Sequence, residues 1–453
     1  MGGLFSLLSI ARDGVLAQTA ALDVTSQNVA GANTPGYVRR VPVLESMKNG
    51  GVQMNRTTRS FDRFTYAQLV DQAGRLGSAN ARAGAINDVE AIVTPSADHI
   101  GDRADVFFDS LHELALNPAD SAVRTSVMAQ AQWLATGFSE TANGLERFRG
   151  ELFSRATDLT SEVSQRLEQM AGIDRDIVDA TGRGDNAADL RDRRDQLVQE
   201  IGQRVGARTV EGPNGGLTLF GAGTVLYEGG RTASLGVSLD ANGALHFEAN
   251  RNGNVIDVTS GIETGTLAGV REARDKDIPA LLARLDGFAS DFTTAVNTVH
   301  MGGYGLDGST GRPLFTPSAT VKGAAHAMSI DPGIQGHPEW LGASSTSTDV
   351  PGGNDVASAL ANISRLALPG GGTAAERYAL IASNVGVLRS ATDSELTMRE
   401  DTMATATTLR ESASGVSTDE EMIHLQQYQR AFEASTRVLR AVDELFDTLM
   451  QAI

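Results

Sequence analysis

The sequence has no cysteine among its 453 residues. A chain without thiols forms no disulfide bond, holds no metal through thiolates and has no cysteine nucleophile. The absence is compatible with either a cytosolic or an extracellular protein. Catalytic or metal-binding chemistry is therefore confined to the other side chains.

A long hydrophobic run is also missing. A membrane-spanning helix needs about 18 or more consecutive apolar residues, and no such stretch occurs. Residues 1–10 have neither the basic segment, the apolar core nor the small-residue cleavage site of a secretory signal. We therefore predict no membrane span, no membrane partner and no cleaved signal peptide.

Positive charge is scarce, because 38 Lys and Arg residues stand against 56 Asp and Glu residues, giving a formal net charge of −18. Affinity for nucleic acid comes mostly from Lys and Arg that neutralise phosphates, so nucleic acid is not an expected partner. Hydrophobic residues make up 41%, which is enough for sizeable cores. The length fits roughly two to four domains.

Recognisable catalytic signatures are absent. The seven histidines do not stand at metal-ligand spacing, and no HExxH, GxSxG or Walker-type loop occurs. Residues 305–311 could be taken for a cation loop but lack the acidic residue that such a loop needs, so a turn is expected there. The mixed charges of residues 185–195 predict a solvated helix face with local ion pairs, with a partner surface as the alternative. We predict no enzyme, no cofactor and no metal site, although a sugar hydrolase using an Asp/Glu pair stays open.

Both ends of the chain carry an apolar seam whose spacing alternates between four and three residues, as in coiled-coil helices. The first seam contains Leu4, Leu8, Ala11, Val15, Leu22 and Val29, with Gln18 and Thr25 in the two remaining positions. The last contains Leu425, Tyr428, Phe432, Ser435, Leu439, Val442, Phe446, Leu449 and Ile453. A lone helix of this kind is marginal in water, so the last helix is predicted to pair with the first, with further copies of the chain beyond. An ordinary surface helix is the alternative.

Between the ends the pattern changes. Helical periodicity dominates residues 56–203, turn signals separate short β-prone runs over 206–262, and helix returns at 278–300 and from 354 onward. Two capping boxes are predicted, Thr373 with Glu376 and Thr418 with Glu421. The predicted fold is a multidomain α+β fold, with long amphipathic, coiled-coil helices from both termini and a β-rich domain inserted in the middle. The predicted domains are residues 1–55 with 413–453 (terminal coiled coil), 56–205 with 354–412 (helical), and 206–353 (β-rich and outer, with one helix near 278–300).

A distinctive turn follows the first helix at residues 32–37, Ala-Asn-Thr-Pro-Gly-Tyr. Thr34 precedes Pro35 and is pushed out of the α region, so the helix must end. Pro35-Gly36 favours a type II turn in which Gly supplies a positive φ. Tyr37 can pack its ring while its hydroxyl group stays in polar surroundings.

Residues 27–37 resemble the N-terminal signature of flagellar axial proteins of the rod, hook and hook-associated class. In that pattern Asn usually stands in the place of Gly31, a mild departure that leaves the turn intact. Residues 416–422, 426–435 and 442–449 resemble the hook-associated protein 1 branch of the family. Motifs at 117–124, 189–198, 265–270 and 308–315 follow in the expected order, so the resemblance runs from end to end.

The resemblance implies an extracellular structural subunit of the bacterial flagellum, exported by the flagellar type III system without a cleaved signal peptide. It would form the hook–filament junction and be required for filament assembly. The implied partners are other copies of the chain in a ring, the hook protein, the next junction protein and a cytoplasmic export chaperone on the last helix. A flagellar hook or distal-rod protein is the alternative.

The expected assembly residues fall into two groups. The N-terminal seam and turn contribute Leu8, Val15, Leu22, Val29, Asn33, Thr34, Pro35, Gly36 and Tyr37. The C-terminal seam, which is also the expected chaperone interface, contributes Leu425, Tyr428, Phe432, Leu439, Val442, Phe446 and Leu449.

Overall fold

A computed structural model describes residues 2–48, 50–94, 98–211 and 216–451, apart from the side chain of Leu449. Two long helices, α1 (Gly2–Gly31) and α11 (Thr418–Gln451), pack against each other. They are antiparallel, because the ring of Phe5 contacts that of Phe446 while Asn28 contacts Glu421. The antiparallel hairpin of β1 (Arg40–Ser46) and β2 (Val52–Arg59) lies against α1. We call α1, β1, β2 and α11 the terminal unit.

The rest of the chain, here called the body, is mainly helical. Its helices are α2 (Arg63–Val93), α3 (Ile100–Leu116), α4 (Ser121–Gly182), α5 (Ala188–Val205), α6 (Thr266–Glu272), α7 (Ile278–His300), α8 (Ala324–Ala327), α9 (Asp355–Asn362) and α10 (Ala374–Ser414). The 62 residues of α4 make a helix about 93 Å long, and α5 folds back on it. The capping box of Thr373 and Glu376 is confirmed at the start of α10.

Two small antiparallel sheets follow α5. The first has β3 (Ala207–Glu211), β4 (Leu217–Gly221), β5 (Thr224–Glu228) and β6 (Arg231–Thr232) in sequence order, and the second has β7 (Ser234–Leu239), β8 (Leu245–Arg251) and β9 (Asn254–Asp257). Side chains alternate between buried and less buried along β4 and β8, as expected for sheets with one covered face. The α+β class, with long terminal helices and small sheets in the middle, is confirmed.

One large apolar core runs through most of the body, and a small second cluster of Ile177, Ala180 and Ala187 lies where α4 turns into α5. At the centre of the large core the rings of Phe107, Phe138, Phe288, Phe292 and Phe315 meet, with neighbouring ring centroids 5.0–6.3 Å apart. The same core includes Leu219 and Phe247 of the two sheets, so the sheets pack on the helices rather than around a core of their own. The three-domain division stays a prediction, and its boundary at residue 55/56 falls inside β2, which pairs with β1 as far as Arg59.

Candidate functional site

The turn after α1 has the predicted geometry. The amide of Tyr37 donates to the carbonyl oxygen of Thr34 (3.1 Å), and Gly36 has φ +81°. These values describe a type II turn with Pro35 and Gly36 at its centre. The side chain of Gln196 on α5 donates to the Pro35 carbonyl oxygen, so the turn sits directly on the body. Asn33, Thr34 and Pro35 are exposed, whereas Gly36 and Tyr37 are half-buried.

Asn28 joins the turn, the hairpin and the last helix. Its side chain is 1% exposed. Its Oδ1 accepts from the Tyr37 hydroxyl (3.0 Å) and the Arg40 amide (2.9 Å), and its Nδ2 donates to the Arg40 carbonyl oxygen (2.7 Å) and Glu421 Oε2 (2.9 Å). An asparagine amide can accept two hydrogen bonds and donate two, so its capacity is fully used. Such a buried, satisfied polar group fixes the relative placement of the elements it joins.

The predicted capping box of Thr418 and Glu421 is wrong. Thr418 is already helical, and the hydroxyl group of Ser417 accepts a hydrogen bond from the Glu420 amide (3.4 Å). The Glu421 carboxylate is 2% exposed and binds Arg39 Nε (2.8 Å) as well as Asn28. The Glu421 side chain, which the local pattern predicted to cap its own helix, therefore binds Asn28 and Arg39 from the other end of the chain instead.

Gly31 explains why the turn closes so tightly. A Cβ atom at this position would lie 2.6 Å from Cε2 of the Tyr37 ring, well inside van der Waals contact. The ring packs on the bare backbone of the last helical residue, and from there its hydroxyl reaches Asn28. The departure from the usual Asn leaves the turn intact, as predicted, and here glycine is what lets this ring lie where it does.

The N-terminal seam is only partly covered. Leu8, Val15, Leu22 and Val29 are half-buried. Apart from the seam residue Ala11, which is 4% exposed, full burial falls on a neighbouring face of α1. That face carries smaller side chains: Ala17, Ala21, Val24, Thr25 and Asn28. The reason is that α1 has two neighbours, α11 and the hairpin, whereas the seam pattern anticipates one.

The C-terminal seam faces α1 within the same chain. Val442 is 3% exposed, and Leu425, Tyr428, Phe432, Leu439 and Phe446 are half-buried. The side chain of Leu449 lies outside the described part of the structure. A second apolar stripe on α11 is exposed, with Ile423 at 66%, Val438 at 46% and Leu445 at 53%. At about 100° per residue these three lie within about 60° of one another around the helix, on a face that the sequence pattern did not single out.

Part of the charged cluster on α5 is covered rather than solvated. Arg59 NH2 lies 2.6 Å from Asp192 Oδ1 and 2.6 Å from Asp195 Oδ2, and each of these side chains is about one-tenth exposed. Arg40 forms an ion pair with Asp189. Burial raises the pKa of both Asp192 and Asp195, while Arg59 opposes the shift. The prediction of a solvated face is wrong for Asp192 and Asp195, because the hairpin covers them, whereas Asp189 is 83% exposed.

Other chemistry is sparse in the part of the chain that the structure describes. It contains no group of three or more His, Asp or Glu side chains able to hold a metal ion. The 305–311 loop is a turn in which Asp307 accepts from the Ser309 amide (3.0 Å) and pairs with Arg312 (2.8 Å). None of the described helices is both long and apolar enough to cross a membrane.

Two family models match the chain. The model described as the flagellar hook-associated protein FlgK helical domain matches residues 86–315, and the model of the flagellar basal body rod FlgEFG protein C-terminal region matches residues 410–452. The second range covers all of α11 and the end of α10. The first spans α3 to α7 together with the end of α2, which is the greater part of the body and just over half of the chain.

Similar proteins carry the same description. The chain is 27% identical to flagellar hook-associated protein 1 of Bacillus subtilis, over 100% of this chain and 99% of that protein. It is 22% identical to flagellar hook-associated protein 1 of Escherichia coli, over 98% of this chain and 99% of that protein. These alignments run from end to end, as the collinear motifs predicted.

A solved structure shares the fold. The flagellar hook junction protein FlgK from Burkholderia pseudomallei superposes with a TM-score of 0.50 at 21% identity, over 56% of this chain and 46% of that chain. Membership in a structural flagellar family confirms the prediction that the chain is not an enzyme and places it in the bacterial flagellum. The chain belongs to the family of flagellar hook-associated protein FlgK.

Proposed function

We propose that this chain is a structural subunit of the hook–filament junction that other copies, the hook protein and the next junction protein contact directly. The family model across residues 86–315 carries the proposal, and the names of the relatives agree with it. The terminal unit supports an assembly role, since it joins both ends of the chain in one helix pair and leaves apolar surface uncovered.

The exposed stripe of Ile423, Val438 and Leu445 is the surface best suited to a second copy. The predicted seam from Leu425 to Phe446 already packs against α1 of the same chain. It therefore forms the helix pair within one chain and is not free to contact a second copy. Isolated apolar residues are common on protein surfaces, but a line of them along one helix face is typical of a helix–helix interface. In the ring, this stripe would pack on the terminal unit of a neighbouring copy.

The export route is part of the proposal. Before assembly the last helix, residues 418–451, would be held by a cytoplasmic chaperone and delivered through the flagellar type III channel. An amphipathic helix binds a partner by laying its apolar face into a groove, and the seam from Leu425 to Leu449 is such a face. In this view the chaperone binds the same seam of α11 that α1 covers in the folded chain. Binding of the chaperone and packing of α1 on α11 therefore exclude each other.

A hook or distal-rod role is the competing assignment. The match of residues 410–452 to a rod-protein model is compatible with it. The longer match of the body to the FlgK helical domain favours the junction.

A clean deletion in the source bacterium separates the two roles. Electron microscopy of the cells and assay of flagellin in the medium would show hooks without filaments and shed flagellin if the chain forms the junction. Intact filaments would contradict an essential junction role. Loss of hooks as well would move the assignment to the rod or hook.

A pair of matched substitutions tests the exposed stripe in the complemented deletion. Val438→Glu places a charge on the stripe (46% exposed) and should leave hooks bare. Val255→Glu makes the same chemical change at a residue of β9 that is 52% exposed and should restore filaments. Filaments in both strains would show that the stripe takes no part in assembly.

A further inference from the structure

The helix α10 carries a second apolar face in addition to the one that packs on the body. Its buried side chains, among them Tyr378, Ile381 and Val385, lie against α2 and the neighbouring helices. At about 100° per residue, a second set of large apolar side chains lies about 100–160° away from these and within about 40° of one another. The set consists of Leu380, Val387, Met398 and Leu409, which are 57%, 67%, 50% and 45% exposed.

This face is continuous along the helix and carries no charge. Steps of four and three residues connect the apolar side chains, with one additional step of four after Met398, which is close to the spacing of a coiled-coil seam. The connecting residues are Asn384, Ala391, Ser394, Thr402, Thr405 and Ser412. We call the whole line, from Leu380 to Ser412, the α10 stripe. It is about 48 Å long.

The acidic residues of α10 are kept away from the stripe. Asp393, Glu400 and Glu411 are exposed and lie about 140–160° around the helix from Leu380. Depletion of charge distinguishes the centre of a protein–protein interface from the rest of a protein surface. An apolar line along one helix face is typical of a helix that packs against a partner. The α10 stripe therefore has the character of an interface that no described segment of the chain covers.

A second copy of the chain is the partner that suits an uncharged stripe. The chain has a formal net charge of −18, so two copies repel each other where their acidic surfaces meet, and a contact between copies needs a face without acidic groups. A partner of opposite charge would be recognised through complementary charges, which the stripe does not offer. The exposed stripe of α11 begins at Ile423, shortly after α10 ends at Ser414. A copy that packs on the start of α11 therefore also stands next to α10.

We propose that the α10 stripe packs on the body of a neighbouring copy in the assembled flagellum. This inference rests on the proposed function, because it requires several copies side by side at the junction. It adds a contact between bodies to the contact between terminal units proposed above. Each copy is then held by its neighbour along two successive helices.

Photochemical cross-linking in assembled flagella tests this contact. In the complemented deletion strain, p-benzoylphenylalanine is placed at the position of Val387, and flagella isolated with their hooks are irradiated and probed with antibody against the chain. The expected product is a covalent dimer of the chain. The matched control position is Val178 on α4, which is 65% exposed and outside the stripe, and it should give no dimer.

Val387→Glu provides a second measurement that does not depend on cross-linking. A carboxylate in the stripe should leave most hooks without filaments, whereas Val178→Glu should restore them. Because the side chain of Val387 is 67% exposed, the variant should fold and reach the medium at the level of the parent, which separates failed assembly from failed export.

The outcomes distinguish this contact from the junction role. Cross-linking of position 387 only to the hook protein or to the next junction protein overturns the assignment of a second copy and leaves the junction role intact. Equal amounts of dimer from positions 387 and 178, or filaments with Val387→Glu and no dimer, also overturn it. Intact filaments in the deletion strain contradict the proposed function itself.

Discussion

Acidification should destabilise the body through His300. This side chain is 1% exposed. Its Nδ1 lies 2.8 Å from the Arg312 carbonyl oxygen, which can only accept, so Nδ1 carries the proton. Its Nε2 then accepts from the Gly342 amide (3.0 Å). Protonation would place a second proton on Nε2, against that amide and close to two arginines, Arg124 and Arg312.

The magnitude follows from linkage between protonation and folding. Burial, helped by Arg124 and Arg312, lowers the pKa of His300 from 6.5 to about 4, although the bond to the Arg312 carbonyl oxygen opposes the shift. Between these two values the unfolded chain binds a proton that the native chain does not. Stability is therefore fully present above pH 6.5 and falls as the pH drops towards 4. A gap of about 2.5 pH units at about 1.4 kcal/mol each corresponds to roughly 3.5 kcal/mol, of which roughly 3 kcal/mol is lost by pH 4.

Urea unfolding at pH 7, 6, 5 and 4, followed by circular dichroism, measures this loss. His300→Gln removes the titrating ring, so the stability difference between parent and variant should shrink by roughly 3 kcal/mol from pH 7 to pH 4. His112→Gln is the control, since His112 is exposed on α3, and should follow the parent. Equal pH slopes for the parent and the His300 variant would refute the reasoning.

Three further substitutions test the terminal unit. Asn28→Ala removes four hydrogen bonds from a buried site and should destabilise this unit by about 2–3 kcal/mol, seen as faster proteolysis of α11, whereas the exposed Asn33→Ala should change little. Gly31→Asn introduces the residue usual in the family and places a Cβ atom 2.6 Å from the Tyr37 ring. Overpacking should lower the free energy of unfolding by about 1–3 kcal/mol. An unchanged melting temperature would contradict the assigned contact. Phe432→Asp puts a charge into the half-buried seam against α1 and should abolish motility or chaperone binding, so normal swimming in this variant would argue against the seam.

Local sequence signals predicted the elements whose conformation depends on neighbouring residues. The turn of Thr34 to Tyr37 has the predicted hydrogen bond and positive φ because proline and glycine restrict the backbone whatever the rest of the fold does. The capping box of Thr373 and Glu376 formed because its two partners stand three residues apart and need no distant segment. The seam on α11 was also predictable, since a lone amphipathic helix is marginal in water and needs a second helix to cover its apolar face.

Local sequence signals could not predict the contacts of the residues that join the two ends of the chain. Asn28 and Glu421 are separated by 393 positions, and each looks like an ordinary polar residue of an amphipathic helix. Asp192 and Asp195 look solvated in sequence, yet the hairpin carrying Arg59 covers them. A signal was present in Asn28, which stands seven residues after the buried Ala21 and so faces the same side of α1, but only a structure shows that its polar partners are there to meet it.

The sequence by itself determined the long terminal helices, the turn between α1 and the hairpin, and the α+β class, because these follow from periodicity and from the backbone restrictions of single residues. Tertiary structure decided which face of α1 is buried, that the two sheets share the core of the helices, and that ion pairs and hydrogen bonds to α5 join the terminal unit to the body. Those outcomes depend on which segments meet across hundreds of residues, and the free energy of such contacts is absent from any local window of sequence.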